Sequence, residues 1–377
     1  MNTALYTFAT RLREWIVQRP AASGQRQFAD LALELFALQF ANNSAYRRIC
    51  EVRQLTPTTV QNWTQIPAVP TAAFKELELT SLAPDERSAV FHSSGTSGQK
   101  PSRHFHGAAS LALYEASLWQ WFLPNTLPDF KSSLHDLRFA CLTPPSAQVP
   151  HSSLVHMFRS IQCQLGDAGV LVGATKFHGK VMPDGGWALE FDDVREVVAE
   201  STRQGDPVFL LGTAFSFVQL LDFLVENNLR FQLPAGSRVL ETGGYKNRSR
   251  VLPKAELHAL ITERLGVPGQ NIICEYGMSE LSSQAYDREI QNSEFTIHSQ
   301  PRPFHFPPWS RVQIISPETG REVAEGETGL IRVFDLANVF SVAAIQTEDL
   351  GIRRGDGFEL IGRAQLAEPR GCSLMTM

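Results

Sequence analysis

Apolar residues near the amino end recur at helical spacing. Leu5, Phe8, Leu12 and Trp15 stand three or four apart, with Arg11, Arg13 and Glu14 between them, and predict an amphipathic helix from Met1 to Val17. Phe28, Leu31, Leu35 and Leu38 repeat the stripe and predict a second helix ending near Asn42-Asn43-Ser44. Between Thr56 and Pro70, prolines among mixed polar residues break the period, so an extended loop leads to Phe74, Lys75 and the strand-like Ala89-Val90-Phe91. Beyond it, short apolar runs alternate with helical stripes. Strands are predicted at Leu137 to Leu142, Val208 to Leu211, Val239-Leu240 and Ile272-Ile273, and helices near 108–122, 152–164, 215–226 and 253–265. Such alternation predicts an α/β fold with mainly parallel strands. The helix at 253 is the best punctuated: Pro253 suits its first position, Leu257, Leu260, Ile261 and Leu265 line one face, and Gly266 stops it. After Phe304 the runs shorten to Val312–Ile315, Gly329–Phe334 and Gly357–Ile361, separated by Gly and Pro, which predicts a small antiparallel sheet or barrel. The chain thus divides into a helical region (1–85), an α/β core (86–303), a small β subdomain (304–363) and a tail (364–377).

With 377 residues, 43% of them apolar, the chain can fill a substantial core. The net charge of −5, with acids and bases interspersed, offers no basic face to nucleic acid and no polybasic block to an anionic membrane. Charges interrupt the first apolar stripe, unlike a signal core, and no apolar run approaches the roughly 20 residues of a bilayer span. A cytoplasmic location is the expectation. The five cysteines (Cys50, Cys141, Cys163, Cys274 and Cys372) are scattered without a CxxC pair, which suggests neither a disulfide framework nor a zinc ribbon. Four of them read as ordinary buried thiols. Cys372, in Arg370-Gly371-Cys372-Ser373-Leu374, stands apart on the tail.

The chemistry concentrates first in Phe91-His92-Ser93-Ser94-Gly95-Thr96-Ser97-Gly98-Gln99-Lys100, where glycines, hydroxyls and a lysine share one turn after a strand. Glycine lets backbone N–H groups converge on an anion, hydroxyls add donors, and Lys100 or Arg103 neutralises charge, so the composition suits a phosphate cradle. It is not a GxxxxGK[ST] loop, and in isolation a flexible Ser/Gly surface loop would read the same. His104, His106, His298 and His305 form no metal-spaced set. Phe209 to Phe217 holds aromatic and small residues that suit either an acyl channel or plain core. Lys246, Arg248 and Arg250 read as a solvated basic loop.

Four motifs in order carry a resemblance. Ser94-Gly95-Thr96-Ser97-Gly98 resembles the phosphate loop of the acyl-adenylate-forming superfamily, Glu275-Tyr276-Gly277-Met278-Ser279-Glu280 its Tyr-Gly-x-Thr/Ser-Glu motif, Thr347-Glu348-Asp349-Leu350-Gly351 its ribose-holding segment, and Gly362-Arg363 the end of its large domain. Together with Thr242-Gly243-Gly244-Tyr245-Lys246 and the Cys372 tail, they look most like the acyl-protein synthetases of bacterial luminescence, the LuxE-like family, over roughly residues 60 to 377.

That resemblance implies the large domain of the adenylate-forming fold, and it implies roles. Ser93, Ser94, Gly95, Thr96, Ser97 and Gly98 would embrace the ATP phosphates, with Lys100 or Arg103 supplying charge; Lys100 precedes Pro101, whereas the family's lysine follows the proline. Gly243, Gly244 and Tyr245 would border adenine, Tyr276 beside Gly277 would stack on it, and Ser279 would contact the α-phosphate. Glu280 would hold Mg²⁺, Asp349 the ribose hydroxyls, and Arg363 would lie near ribose and phosphate. Superfamily members continue into a lid domain with a catalytic lysine. Here no lysine follows Lys254 and Gln365 occupies the usual hinge position, so the lid domain is expected to be lacking. Cys372 would then accept the acyl group itself, on a tail whose nine residues from Ala364 reach about 30 Å when extended. Arg370 beside it would favour the thiolate.

The expected activity is therefore ATP- and Mg²⁺-dependent activation of a carboxylic acid, of the fatty kind, to acyl-AMP. Transfer to Cys372 would follow, for delivery to a partner such as a reductase. Two alternatives stay open: a truncated ligase that uses coenzyme A or a carrier protein, and a non-catalytic nucleotide-binding scaffold.

Overall fold

Side-chain alternation along the central strands sorts the apolar residues of the middle of the chain into two cores. The computed structural model describes residues 3–19, 25–93, 100–128, 137–167, 176–244, 250–287 and 302–363. Three helices open it: α1 (Thr3–Val17), α2 (Gln25–Asn42) and α3 (Ser44–Val52), the last capped by the Asn43 side chain, which accepts from the Tyr46 N–H. β1 (Val69–Pro70), α4 (Ala73–Glu76) and the hairpin of β2 (Ala89–His92) and β3 (Arg103–His106) follow. Next come α5 (Ala108–Thr126), β4 (Arg138–Cys141), α6 (Ser153–Asp167), β5 (Lys176–Phe177), β6 (Gly179–Val181), β7 (Trp187–Leu189) and α7 (Phe191–Gln204). The centre is β8 (Val208–Thr213), α8 (Ala214–Glu226), β9 (Arg238–Thr242), α9 (Lys254–Leu265) and β10 (Ile272–Tyr276). The chain closes with β11 (Ala285–Asp287), β12 (Phe304–His305), β13 (Ser310–Ile315), β14 (Thr328–Asp335), β15 (Ala344–Arg354) and β16 (Gly357–Arg363).

One large sheet runs β13-β14-β15-β16-β12-β11-β10-β9-β8-β4-β5, with β1 added parallel to β15. From β10 to β5 the strands are parallel, as the strand–helix alternation predicts. From β10 to β13 they are antiparallel, so the terminal strands extend the same sheet. β8 and β10 are buried along their whole length because helices cover both faces. Ala140, Val208, Leu210, Val239 and Ile272 face α7, α8 and α9, whereas Phe139, Phe209, Leu211, Leu240 and Ile273 face α5 and α6. Phe209, Leu210, Leu211 and Phe217 are consumed in these two cores. A third core joins α1–α3 to the antiparallel strands and takes in Cys274 and Tyr276.

Punctuation agrees with the chemistry of the ends. Thr213 caps α8 by accepting from the Ser216 N–H at 3.0 Å, and Gly266 ends α9 in the left-handed conformation (φ 72°). Pro253 stands just before the first helical residue of α9 rather than inside it. The eleven residues of β15, absent from the apolar pattern because Thr347-Glu348-Asp349 interrupts it, are held by pairing with β14 and β16.

Candidate active site

β10 ends in Tyr276, whose hydroxyl donates to Asp349 Oδ2 at 2.9 Å across 73 residues of sequence. Asp349 lies opposite Arg363 in the β15–β16 ladder, and the Arg363 Nε stands 3.7 Å from its other oxygen. Burial pushes the Asp349 carboxyl above its ordinary range, while the Tyr276 hydroxyl and Arg363 pull it back. The Tyr276 ring is 6% exposed and packs against Phe304, Phe306 and Phe358 at 5.2–6.2 Å between centroids. It is therefore a core aromatic whose hydroxyl reaches the site.

Four residues on, Glu280 is 4% exposed, and among the described residues it has no ion-pair partner. The Ser279 hydroxyl donates to Glu280 Oε2 at 3.1 Å. Burial raises the Glu280 carboxyl; Ser102, its own backbone N–H, Ser279 and the charge of Arg363 oppose it. Ser102 Oγ lies close enough to favour the ionised form, yet it is outside hydrogen-bond geometry and remains a buried hydroxyl without a partner. A buried carboxylate among hydroxyls, with no cation of its own, has the donor chemistry of a hard divalent ion site. The charge of Arg363 is felt by both Asp349, its ion-pair partner, and Glu280.

The hairpin brings the phosphate-loop limbs to this place. β2 and β3 pair as far as His92 and Arg103, and the Ser102 N–H donates to Ser93 Oγ at 3.0 Å. Ser94, Gly95, Thr96, Ser97 and Gly98 lie outside the described residues. Lys100 is paired with Glu76 at 3.6 Å on the surface and Arg103 with Glu78 at 3.5 Å, neither with the Tyr276–Glu280 segment. Arg103 Nε is nevertheless buried without a partner. His104, which carries no spacing signal, docks the hairpin on the motif through a 2.8 Å bond between its Nδ1 and the Ser279 carbonyl. Burial lowers the His104 pKa to about 4, so the ring is neutral and Nδ1–H is the donor.

Behind the motif sits Asp335, fully buried at the end of β14. It accepts from the backbone N–H groups of Ser282, Ser283 and Ala337 and from the hydroxyls of Ser283 and Ser310, at 2.7–3.0 Å. Asn338 donates to the Glu280 carbonyl at 2.9 Å and accepts from the Ser282 hydroxyl at 2.7 Å. Gln39, on α2, bonds the Asn338 and Val339 carbonyls and the Ala343 N–H, tying the amino-terminal helices to the same loop. None of these residues stands in a motif. Their only sequence signal is a polar residue flanked by apolar ones, which is too common to single them out.

Glu275 points to the opposite face from Tyr276. It accepts from the Thr242 hydroxyl, and burial raises it to about 7, with the Thr242 bond opposing and Glu241 adding. A Cβ at Gly277 would meet this carboxylate, so any side chain there would have to displace the end of Glu275. Thr242 pairs with Glu275 in the ladder, so Gly243, in the left-handed region (φ 66°), and Gly244 run out beside Tyr276. Tyr245 and Cys372 lie outside the described residues. Among the described residues, one group of three His, Cys, Asp or Glu donors lies close enough together to share a cation: Glu241, His258 and Cys274. No described helix is long and apolar enough to cross a membrane.

Residues 22–105 and 168–377 match the family model described as acyl-protein synthetase, LuxE. A long-chain-fatty-acid–luciferin-component ligase of Aliivibrio fischeri is 22% identical over 390 residues, covering 97% of this chain and 91% of the relative. Its namesake from Vibrio harveyi is 23% identical over 373 residues, covering 96% and 89%. Among solved structures, a 2-hydroxyisobutyryl-CoA ligase in the postadenylation state, in complex with 2-HIB-AMP, superposes with a TM-score of 0.62 over 91% of this chain and 68% of that one. At 14% identity, this is a likeness of fold.

Proposed function

The chain belongs to the LuxE family of acyl-protein synthetases, and from that premise we propose that it activates a carboxylic acid with ATP and loads the acyl group on its own Cys372. The two relatives are named for joining a long-chain fatty acid to a luciferin component. The acid is accordingly a fatty acid and the onward acceptor a partner protein, such as a reductase. What supports the reading above all is that Asp349 binds Tyr276 and Arg363 at the end of β10, with the buried Ser279–Glu280 pair three and four residues further along the chain.

In the first half-reaction a carboxylate oxygen bonds to the α-phosphorus of ATP while the bond to pyrophosphate breaks. The acid is already ionised at neutral pH, so no general base is needed and positioning does most of the work. Asp349 takes the ribose hydroxyls, Tyr276, Gly243 and Gly244 border the base, and Ser279 and Arg363 meet the α-phosphate. The 93–98 loop, with Lys100 or Arg103, embraces the remaining phosphates. Glu280 would hold Mg²⁺, which when bound would offset charge on the phosphate oxygens. In the second half-reaction the Cys372 thiolate forms a C–S bond at the acyl carbonyl and AMP leaves.

Labelled fatty acid, ATP and Mg²⁺ test this directly. The wild type is expected to exchange pyrophosphate into ATP and to gain one hydroxylamine-labile acyl group on the peptide that contains Cys372. The Cys372→Ser variant should exchange pyrophosphate normally and carry no thioester. A thioester elsewhere, or one equally present in the variant, overturns self-acylation in favour of coenzyme A or a carrier protein; no exchange with any acid of a panel overturns the ligase.

A further inference from the structure

Away from the phosphate loop, three unlike donors converge from three adjacent elements. Cys274 on β10 lies opposite Glu241 on β9, and His258 comes down from the first turns of α9. Cys274 Sγ is 3.0 Å from Glu241 Oε2 and 3.5 Å from His258 Nε2, and the last two atoms are 3.7 Å apart. A tetrahedral zinc ion with ordinary Zn–S, Zn–N and Zn–O bonds separates such donors by about 3.4–3.6 Å. The sulfur–nitrogen separation already fits; the nitrogen–oxygen pair has to close by about 0.3 Å and the sulfur–oxygen pair to open by about half an ångström, as it would when the thiol proton between them gives way to a metal.

Charge permits the exchange. Two cations and an acid stand next to the cluster, but they are committed to one another: Lys254 and Arg302 each lie 3.0 Å from Asp287. Asp287 in turn accepts from the Cys274 N–H at 2.7 Å, which fixes the strand backbone that carries the sulfur. A divalent cation on a thiolate, a carboxylate and a neutral imidazole leaves no net charge in this buried place. His258 retains some exposure and gives an ion a way in.

We propose that Glu241, His258 and Cys274 form a binding site for a single borderline-soft divalent cation of the zinc class, with the fourth coordination position left to water. The mixed sulfur, nitrogen and oxygen set selects against Mg²⁺, which takes oxygen ligands. Binding transfers the Cys274 proton to solvent and changes no oxidation state. Glu241 precedes Thr242 and Gly243, and Cys274 precedes Glu275 and Tyr276, so the ion would clamp β9, β10 and α9 just behind the adenylation motif. The clamp does not depend on the proposed catalytic roles.

Co²⁺ is the probe, added to the full chain after chelator treatment. The expected result is one equivalent bound, with a thiolate-to-cobalt charge-transfer band in the near ultraviolet that Zn²⁺ bleaches, and a raised melting temperature on loading. Cys274→Ser should lose the band, His258→Ala should weaken binding by about tenfold or more, and Cys163→Ser and Cys372→Ser should leave it intact. Should Cys274→Ser fail to fold, His258→Ala and Glu241→Gln decide the matter, and unchanged cobalt affinity in both overturns the site. So does a wild type without the band at stoichiometric cobalt, or a band that survives in Cys274→Ser. None of these readouts involves acyl transfer, so they stand whether or not Cys372 is acylated.

Discussion

Replacing Glu275 by Gln should make the protein more stable at alkaline pH and change little in acid. Burial raises this carboxyl from 4.5 to about 7, so the folded state holds the proton that the unfolded chain releases. Stability from this group is full below pH 4.5 and is lost as pH rises towards 7. At 1.36 kcal/mol per pKa unit, the shift amounts to about 3 kcal/mol, most of which disappears between pH 5 and pH 8. The wild-type profile alone will hide it. His104, lowered from 6.5 to about 4, acts oppositely: its contribution is full above pH 6.5 and is lost as pH falls towards 4, so the two slopes nearly cancel in acid. The variant-minus-wild-type difference isolates Glu275, because Gln can still accept from the Thr242 hydroxyl but does not ionise. In a chain of this size the gain should read as roughly 3–5 °C in melting temperature at pH 8 relative to pH 5. A difference of the same size at both pH values would mean that Glu275 does not titrate in this range, and the protonated Glu275–Thr242 pairing would have to be abandoned.

Glu280→Gln should fold normally and lose pyrophosphate exchange by roughly a hundredfold or more, measured at saturating Mg²⁺; unchanged exchange would remove Glu280 from the site. Asp349→Ala should weaken ATP binding in calorimetry while leaving binding of the acid intact, since it removes the acceptor of the ribose hydroxyls and frees the Tyr276 hydroxyl. Asp335→Ala strands five donors at once and should destabilise by about 3 kcal/mol or more by thermal melt, with Asn recovering part of the loss. His104→Gln should keep more exchange activity than His104→Ala, because an amide can still donate to the Ser279 carbonyl.

The parallel half of the sheet was legible because each central strand is a dense apolar run, and burial on two faces demands one. The Tyr276–Glu280 motif and Asp349 were legible for a different reason: their residue types and order are distinctive even though each alone is commonplace. What could not be read was how the two meet. The pairing of Asp349 with Arg363 depends on a β15–β16 register set by pairing partners and by a bulge at Leu350/Gly351, and β15 itself shows no apolar alternation at its functional end. His104 was set aside for want of metal spacing, yet its work is to hold a carbonyl 175 residues away. Cys274 read as an ordinary buried thiol, and buried it is; only the ladder puts Glu241 beside it.

Adenylation without a general base, as proposed, would place an unusual demand on the segment that carries Ser279 and Glu280. If most of the rate comes from holding two reactants and a charge-neutralising ion in register, small displacements of Ser279 and Glu280 are costly, and the segment that carries them needs support from several directions. It has that support. Segment 279–283 is gripped at the Ser279 carbonyl by His104 of the hairpin, at the Glu280 carbonyl by Asn338, and at Ser282 and Ser283 by Asp335. Gln39 of α2 then fixes the 338–343 loop from behind. The grips come from the hairpin and from the 335–338 segment, which α2 braces in turn, so the motif is held from more than one stretch of chain. On the roles proposed above, the amino-terminal helices would acquire a catalytic consequence through these bonds: Gln39→Ala would loosen Asn338, and through it the backbone that carries Glu280.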